Sequence, residues 1–289
     1  MNNNKQFPPI HIHPIVFFFF IIAAITGMLV EWCIIFFIVF IHELGHFLCA
    51  RYYGWKIKRI YLWIFGGVME VEKDREVPMK EEWLVIISGP LQHVILFFFF
   101  SIIGMLELLP DQTIQIAMYY NLFILLGNLI PILPLDGGKM LHLLCQHQFP
   151  YYIANCITIV ISVFLIVLTC SIAYVTKFLT LSLFMLFIFL FWENRLEWKR
   201  RHYTFWHFLL LRCTALLENK RQQVIFSESQ VSLFSLFRQF YRNRNNVIWI
   251  NGRSEELSER DCLHFFLKNK NYHITLKQIM DEKKEVDYG

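Results

Sequence analysis

Charged residues are scarce in this chain. They make up 17% of its 289 residues, whereas hydrophobic residues make up 56%. Because soluble domains carry about 25% charged residues, this balance argues against a soluble protein and indicates an integral membrane protein. The net charge of +4 is too small to indicate nucleic-acid binding, so no such partner is expected.

Cysteine pairs and processing signals are lacking as well. The seven cysteines are scattered and none forms a CxxC pair, which argues against a zinc knuckle or a disulfide framework and favours small apolar fillers. The segment before the first apolar run has one lysine, Lys5, and no small-residue cleavage site follows that run. We therefore expect the run to be retained as a membrane span rather than removed as a signal peptide.

Long apolar runs are what the chain does contain. Each is about the length that a helix needs to cross a hydrocarbon core of roughly 30 Å. They fall near residues 14–30, 32–53, 83–106, 113–133, 152–175 and 178–193. The predicted fold class is an α-helical polytopic membrane protein with about six transmembrane helices.

Basic residues are unevenly placed around these runs. The loop after the second run carries seven of them, and the tail after the last run opens with four more: Arg51, Lys56, Lys58, Arg59, Lys73, Arg75, Lys80, Arg195, Lys199, Arg200 and Arg201. Lys177 is the only Lys or Arg on the opposite side. Since cytosolic loops are enriched in Lys and Arg, six spans with both termini in the cytosol fit this pattern.

The segment His42-Glu43-Leu44-Gly45-His46 lies at the end of the second apolar run. HExxH on a helix places two imidazoles on one face, where both can hold one zinc ion, with Glu43 as general base. Ionisable groups at membrane depth are costly, so their presence indicates a function. The motif predicts zinc-dependent hydrolysis in or at the edge of a bilayer, with one Zn²⁺ per chain.

Asp136 is the predicted third zinc ligand. It follows a helix break at Pro131 and Pro134, and Gly137 and Gly138 follow it. Irregular backbone of this kind is tolerated at membrane depth where it lines a cavity. The second and fourth spans both run toward the cytosol, so Asp136 is expected at the same depth as the HExxH residues. A zinc-bound water has a pKa near about 7, and Glu43 is expected to take its proton.

The loop after the second span predicts a place for an extended substrate. Gly66 and Gly67 precede an alternating apolar and acidic run that begins at Val68, which indicates a strand or hairpin, with a plain surface loop as the alternative. These three residues are candidates to hold a substrate strand by β-augmentation.

Further polar and proline residues lie within the spans. Asn128, Pro131 and Pro134 complete the candidate substrate-binding set, with an interhelical hydrogen bond as the alternative role of Asn128. His93 is not needed as a ligand if three already suffice. His142 and His147 are predicted to be solvated.

The tail beyond about residue 196 has a different composition. We expect a linker helix over 202–218, strands at 224–226 and 247–250, and helices at 231–242 and 258–268. The predicted domains are a transmembrane metalloprotease domain (1–195), a linker helix (196–222) and a small α/β domain (223–289).

These motifs together resemble the site-2 protease family of intramembrane zinc metalloproteases. The resemblance rests on the HExxH segment, on Asn128-x-x-Pro131-x-x-Pro134-Leu135-Asp136-Gly137-Gly138, and on Ser88-Gly89-Pro90, and it covers residues 10–195. It implies that His42, His46 and Asp136 bind zinc, that Glu43 is the catalytic acid/base, and that Gly66-Gly67 belongs to a membrane-reentrant hairpin.

The tail, residues 223–289, resembles a single CBS domain. This resemblance implies an adenine nucleotide as ligand and pairing of subunits into a homo-oligomer, without assigning nucleotide-binding residues. Six spans, Gly-Pro-Leu-Gln-His at 89–93 and the CBS-like tail together resemble the sporulation branch of the family in endospore-forming bacilli. That branch implies a substrate, the membrane-associated precursor of sigma-K, as well as membrane inhibitor proteins and residence in the mother-cell membrane around the forespore.

Two alternatives stay open at this point. The same protease chemistry could serve an anti-sigma factor or a signal-peptide remnant as substrate. A different class, a metal-ion transporter with a regulatory CBS domain, would place polar residues on both sides of the membrane midplane. Here they cluster toward the cytosolic side.

Overall fold

The structure is a computed structural model that describes residues 9–12, 14–63, 66–72, 76–214, 221–228, 230–250, 256–269 and 275–279. The chain divides into two compact units. The first comprises Met1–Ile130 with Leu135–Gly137, and the second comprises Pro131–Pro134 with Gly138–Gly289.

Four helices build the first unit: α1 (Pro14–Thr26), α2 (Leu29–Tyr52), α3 (Met79–Met105) and α4 (Asp111–Leu129). Apolar residues predominate in all four helices. Pro78 and Pro110 immediately precede α3 and α4, where a missing N–H costs nothing. Buried side chains of α2, α3 and α4 form a common core that includes Ile38, Leu96, Phe100 and Ala117.

A three-stranded sheet, also in the first unit, follows α2. Its strands are β1 (Ile10–Ile12), β2 (Lys56–Trp63) and β3 (Gly66–Glu72), in the order β1-β2-β3. β1 pairs parallel with β2, and β2 and β3 form an antiparallel hairpin in which Tyr61 faces Val68. The predicted strand or hairpin at 66–72 is confirmed, and β3 is an edge strand of this sheet. The sequence did not predict β1.

The helix break before Asp136 is also confirmed. Helix α4 ends at Leu129, the Leu133–Pro134 peptide bond is cis, and α5 (Asp136–Gln148) begins at the aspartate itself. The two prolines interrupt the helix because proline has no backbone N–H to donate to the preceding turn.

The second unit continues with α6 (Tyr151–Val175) and α7 (Leu181–Thr214), followed by β4 (Arg221–Ser227), α8 (Leu233–Phe237), β5 (Arg244–Ile250), β6 (Glu256–Ser258) and α9 (Glu259–Asn269). The sheet has the order β4-β5-β6, with β4 parallel and β6 antiparallel to β5. The predicted strands and the predicted helix at 258–268 are confirmed. The helix predicted at 231–242 is shorter, because it ends at Phe237 and turns follow.

Helix α7 joins two elements that the sequence separated. The apolar run at 178–193 and the linker helix expected from 202 lie in one helix of 34 residues. Glu193 and Arg195 interrupt the apolar run but are good helix formers, and no proline or glycine occurs within α7.

A hydrophobic core unites α6, α7 and the C-terminal strands and helices. Its buried members, all in the second unit, include Tyr151, Phe205, Phe208, Leu209, Phe237, Phe240, Ile248, Cys262 and Leu276. The rings of Tyr151 and Phe208 stack with centroids 4.0 Å apart. The C-terminal module, which we define as residues 221–279, therefore packs on side chains from both helices.

A buried ion pair anchors the same module to α7. The side chain of Arg212 is fully buried and contacts the Glu259 carboxylate through both Nε and Nη2. Arg212 also donates to the carbonyls of Arg242 and Arg244, and Glu259 accepts from Asn246. Each charge thus has hydrogen-bonded partners, as a buried pair requires.

Three helices are long and apolar enough to cross a membrane by length and composition: α2, α3 and α6. Helix α1 is apolar but shorter. The count of six spans stays a prediction.

Candidate metal centre

Three side chains from α2 and the start of α5 converge on one point of the first unit. His42 Nε2 lies 3.1 Å from His46 Nε2, and Asp136 Oδ2 lies 3.1 Å from His42 Nε2 and 3.0 Å from His46 Nε2. The i, i+4 spacing on α2 brings the two imidazoles to one face of the helix. The structure therefore brings together the three predicted zinc ligands.

The donor set and its spacing suit a zinc ion. Two imidazole nitrogens and one carboxylate oxygen are ligand types that Zn²⁺ takes in catalytic sites. Bonds of about 2.0–2.2 Å in a tetrahedron separate ligand atoms by roughly 3.3 Å, close to the triangle seen here. All three residues are buried, with exposures of 4% for His42, 7% for His46 and 3% for Asp136. Three protein ligands are the number that a catalytic zinc site uses, with water or substrate as the fourth, so the residues fit the ion.

Helix α3 lies directly against the two histidines. His46 Nδ1 is 2.7 Å from the carbonyl oxygen of Val85, which leaves Nε2 for the metal. Gly89 faces both rings: a Cβ at this position would overlap the Cε1 and Nε2 atoms of His46 and would come within 2.8 Å of His42 Cε1. Only glycine lets α3 approach this closely.

His93 and Asn121 continue the polar cluster behind His42. His93 Nε2 lies 3.1 Å from His42 Nδ1, and His93 Nδ1 lies 2.8 Å from Asn121 Oδ1. The amide of Asn121 returns a hydrogen bond of 2.9 Å to the carbonyl oxygen of His93. Both side chains are buried, at 1% and 2% exposure. His93 thus contacts a predicted ligand from the side opposite Asp136.

Glu43 is held by the hairpin. The backbone N–H of Gly67 donates to Glu43 Oε1 at 2.7 Å, and a Cβ on Gly67 would lie 2.6 Å from Glu43 Cδ. Gly67 belongs to the outer strand of the described sheet, so this hydrogen bond places β3 against the helix that carries the HExxH residues. A half-buried carboxylate within reach of a strand edge can exchange protons with a group bound along that edge.

The remaining candidate substrate residues are placed as follows. Gly66, Gly67 and Val68 lie at the start of β3, and Gly67 contacts Glu43. Asn128 lies half-buried in the last turn of α4, and Pro131 and Pro134 are exposed in the break that follows.

The break itself is anchored within the second unit. The N–H of Leu133 donates to Ser162 Oγ of α6 at 3.0 Å, and its carbonyl accepts from Asn194 Nδ2 of α7 at 2.6 Å. Both backbone groups of Leu133 are therefore satisfied by side chains, as irregular backbone in an apolar setting requires.

The sequence missed the roles of Gly89, His93, Asn121, Ser162 and Asn194. Polar residues within apolar runs are a signal of function or of helix contacts, and Ser88-Gly89-Pro90 was noted as a motif. Neither signal names the partner, because each partner lies on a different element of the chain. One further prediction was wrong: His142 is half-buried and hydrogen-bonds Thr158 and Gln146, whereas His147 is exposed as predicted.

The chain is similar in sequence to known proteins. The sequence model of peptidase family M50 matches residues 31–109. Stage IV sporulation protein FB of Bacillus subtilis (strain 168) is 34% identical over 278 residues, which cover 94% of this chain and 96% of that protein. A zinc metalloprotease of Methanocaldococcus jannaschii is 33% identical over 161 residues, covering 50% of this chain and 44% of that protein.

A solved structure is similar as well. The site-2 protease from Methanocaldococcus jannaschii superposes with a TM-score of 0.53 at 25% identity, covering 67% of this chain and 92% of that chain. The match in sequence thus extends over nearly the whole chain, and the match in fold extends over two thirds of it.

Proposed function

Since the chain belongs to peptidase family M50, the site-2 proteases, we propose that it cleaves a membrane-associated precursor of a sporulation sigma factor near the cytosolic face. It is a zinc metalloprotease of the site-2 type in a membrane, and this class replaces the metal-ion transporter alternative. The observation that carries the proposal is the buried triangle of His42, His46 and Asp136 beside Glu43.

In the proposed mechanism, His42, His46 and Asp136 would hold one zinc ion, which would supply a lowered pKa to a bound water and polarise the peptide carbonyl. Glu43 takes the proton of the attacking water and later gives it to the leaving amine. The hydrogen bond from Gly67 holds the Glu43 carboxylate in place. Burial of His42, His46 and Asp136 limits the competition of bulk water with these side chains for the ion.

Substrate is proposed to bind as an extended strand. A helical substrate hides its carbonyls in hydrogen bonds, so the segment to be cut must unwind. The β3 edge from Gly66 to Val68 offers backbone groups for such a strand. Asn128, Pro131 and Pro134 are the further proposed substrate-binding residues. The contact between Gly67 and Glu43 supports this, because it places the edge beside the catalytic acid/base.

The substrate proposal names the sigma-K precursor. Its support is the 34% identity to a stage IV sporulation protein over 94% of the chain. Membrane inhibitor proteins and residence in the mother-cell membrane around the forespore belong to the same proposal, with both termini in the cytosol and six spans. An anti-sigma factor or a signal-peptide remnant is the alternative substrate for the same chemistry.

The proposed domains are a protease domain (1–195), a linker (196–222) and a C-terminal domain (223–289). The C-terminal domain is proposed to act as a CBS-like sensor. An adenine nucleotide and pairing with a second copy are its proposed ligand and partner. Its three-stranded sheet and helices α8 and α9 are compatible with a small α/β module of this kind.

The experiment is co-expression of the sigma-K precursor with wild type, Glu43→Gln or Asp136→Ala, with zinc content measured on each purified protein. We expect cleavage by wild type only. Glu43→Gln should retain zinc, because it is not a ligand, whereas Asp136→Ala should lose it. Cleavage by Glu43→Gln would contradict its catalytic role. An intact precursor with zinc-loaded wild type would overturn the substrate, and cleavage of an anti-sigma factor instead would favour the alternative.

A further inference from the structure

We propose that His93 and Asn121 are positioning residues that set the tautomer and the orientation of His42 for metal binding. The inference rests on the proposed function, since it takes His42 as a zinc ligand. It extends that function to two buried side chains on α3 and α4, neither of which lies at the ligand triangle.

The direction of each hydrogen bond follows from the ligand atom. His42 Nε2 faces Asp136 and His46, so it is the nitrogen that must offer a lone pair. A neutral imidazole with a bare Nε2 carries its proton on Nδ1. That proton points to His93 Nε2, 3.1 Å away, and His93 Nε2 must therefore accept it.

The same reasoning fixes His93. With Nε2 accepting, its single proton sits on Nδ1 and is donated to Asn121 Oδ1 at 2.8 Å. Asn121 can offer its oxygen only in one amide orientation, and its Nδ2 donation to the His93 carbonyl at 2.9 Å selects that orientation. Asn121 on α4 thus fixes which nitrogen of His93 carries the proton, and His93 on α3 in turn fixes the tautomer of His42.

Each histidine of the HExxH segment then has an outer partner on α3. His46 uses the Val85 carbonyl, and His42 uses His93. A backbone carbonyl can only accept a hydrogen bond, so the Val85 carbonyl needs no second residue to fix its role. A histidine can donate or accept, so its role depends on the residue behind it, and Asn121 supplies that control. Loss of such outer partners lowers metal affinity by about 10- to 100-fold.

The test measures zinc affinity of the purified full chain by competition with a chelating fluorophore, together with the visible absorption of bound Co²⁺ and the unfolding temperature of the metal-free protein. His93→Phe keeps a ring but removes the acceptor, and we expect zinc affinity to fall about 10- to 100-fold with an altered Co²⁺ spectrum. His93→Gln places an amide oxygen near the position of Nε2, and we expect it to restore most of the affinity.

Asn121→Leu should weaken zinc binding by a smaller factor, since His93 remains but loses its anchor. The double variant His93→Phe with Asn121→Leu should bind zinc as His93→Phe does, because Asn121 acts through His93. Ser101→Ala is the matched control: its hydroxyl is exposed on the same helix and bonds only the Phe97 carbonyl among the contacts seen. It should leave affinity and spectrum unchanged.

Wild-type affinity and spectrum in His93→Phe would overturn the inference, as would additive effects in the double variant. If His93→Phe fails to fold, His93→Gln and Asn121→Leu decide the question. Unchanged zinc affinity in Asn121→Leu would contradict the inference. A loss of zinc affinity in His93→Gln as large as that in His42→Ala would contradict it as well. Failure of wild type to bind zinc, or equal binding by His42→Ala, would instead overturn the proposed function.

Discussion

The backbone amide of Gly67 donates a hydrogen bond of 2.7 Å to the side chain of Glu43. One residue belongs to the edge strand of a small sheet and the other to the HExxH helix. In the proposed function, a substrate strand that pairs with this edge would arrive beside the carboxylate, and the first prediction tests this contact.

Gly67→Ala should reduce turnover by about 10- to 100-fold while leaving the bound zinc unchanged. The new Cβ would lie 2.6–2.8 Å from Glu43 Cδ, Cγ and Oε2, so the carboxylate must move, and displacement of a catalytic group by about 1 Å can cost 10²-fold. Cleavage rate and zinc content are the measurements. Gly127→Ala is the control, because its Cβ would meet nothing within 4 Å. Wild-type turnover in Gly67→Ala would reject the positioning role of this contact.

Gly89→Ala should weaken zinc binding by about 10- to 100-fold, because overpacking costs about 1–3 kcal/mol and here falls on the ligand rings. The added methyl would overlap His46 and approach His42 Cε1 to 2.8 Å. Zinc titration of the purified protein checks this. Gly104→Ala, on the same helix, would meet Ile114 Cδ1 at 3.3 Å, the end of a flexible side chain, and should bind zinc normally. Equal affinities of the two variants would count against the close approach of α3.

Ser162→Ala should lower the free energy of unfolding by about 1 kcal/mol, because the half-buried backbone N–H of Leu133 loses its acceptor. The hydroxyl accepts from Leu133 N at 3.0 Å and also donates to Thr158 within its own helix. Ser171, an exposed residue of the same helix, makes only the second kind of bond, to Val167 O. Ser171→Ala should therefore stay within about 0.5 kcal/mol of wild type in thermal unfolding. Matching losses in both variants would show that the anchor of the helix break contributes nothing.

Arg212→Met should destabilise the C-terminal module by about 3–5 kcal/mol, because it leaves the Glu259 carboxylate buried beside Asn246 without its cation. Limited proteolysis and thermal unfolding followed by tryptophan fluorescence report on the module. Arg200→Met removes the half-exposed pair with Glu197, at 3.7 Å, and should cost about 0–1 kcal/mol. Unchanged protection of the module in Arg212→Met would show that the buried pair is not needed.

The triangle of His42, His46 and Asp136 was the part of this protein most accessible from sequence. The i, i+4 spacing of His42 and His46 is local to one helix, and helix geometry converts it directly into a shared face. Asp136 is 90 residues away from His46. It could still be predicted, because membrane topology limits depth and the prolines before it explain where the chain leaves the helix.

The outer contacts could not be predicted in the same way. His93 and Asn121 stand out as polar residues in apolar runs, but which helix faces which depends on packing, which no local pattern encodes. Helix α7 was divided into two for a related reason. Hydropathy changes at Glu193, whereas helix propensity does not, and the boundary drawn from hydropathy did not mark the end of the helix.

The core that contains Tyr151, Phe205, Phe237 and Leu276 also sets an order of events during synthesis. Chains are made and fold from the N-terminus onward, and domains close only when all their parts have emerged. This core draws on α6, α7 and the last helical turn of the described chain, so it cannot close before both long helices have left the ribosome. A chain in which α6 is misplaced keeps Tyr151 away from Phe208 and leaves an aromatic cluster open to chaperones and proteases. Closure of the C-terminal module therefore depends on correct placement of the two long helices that precede it.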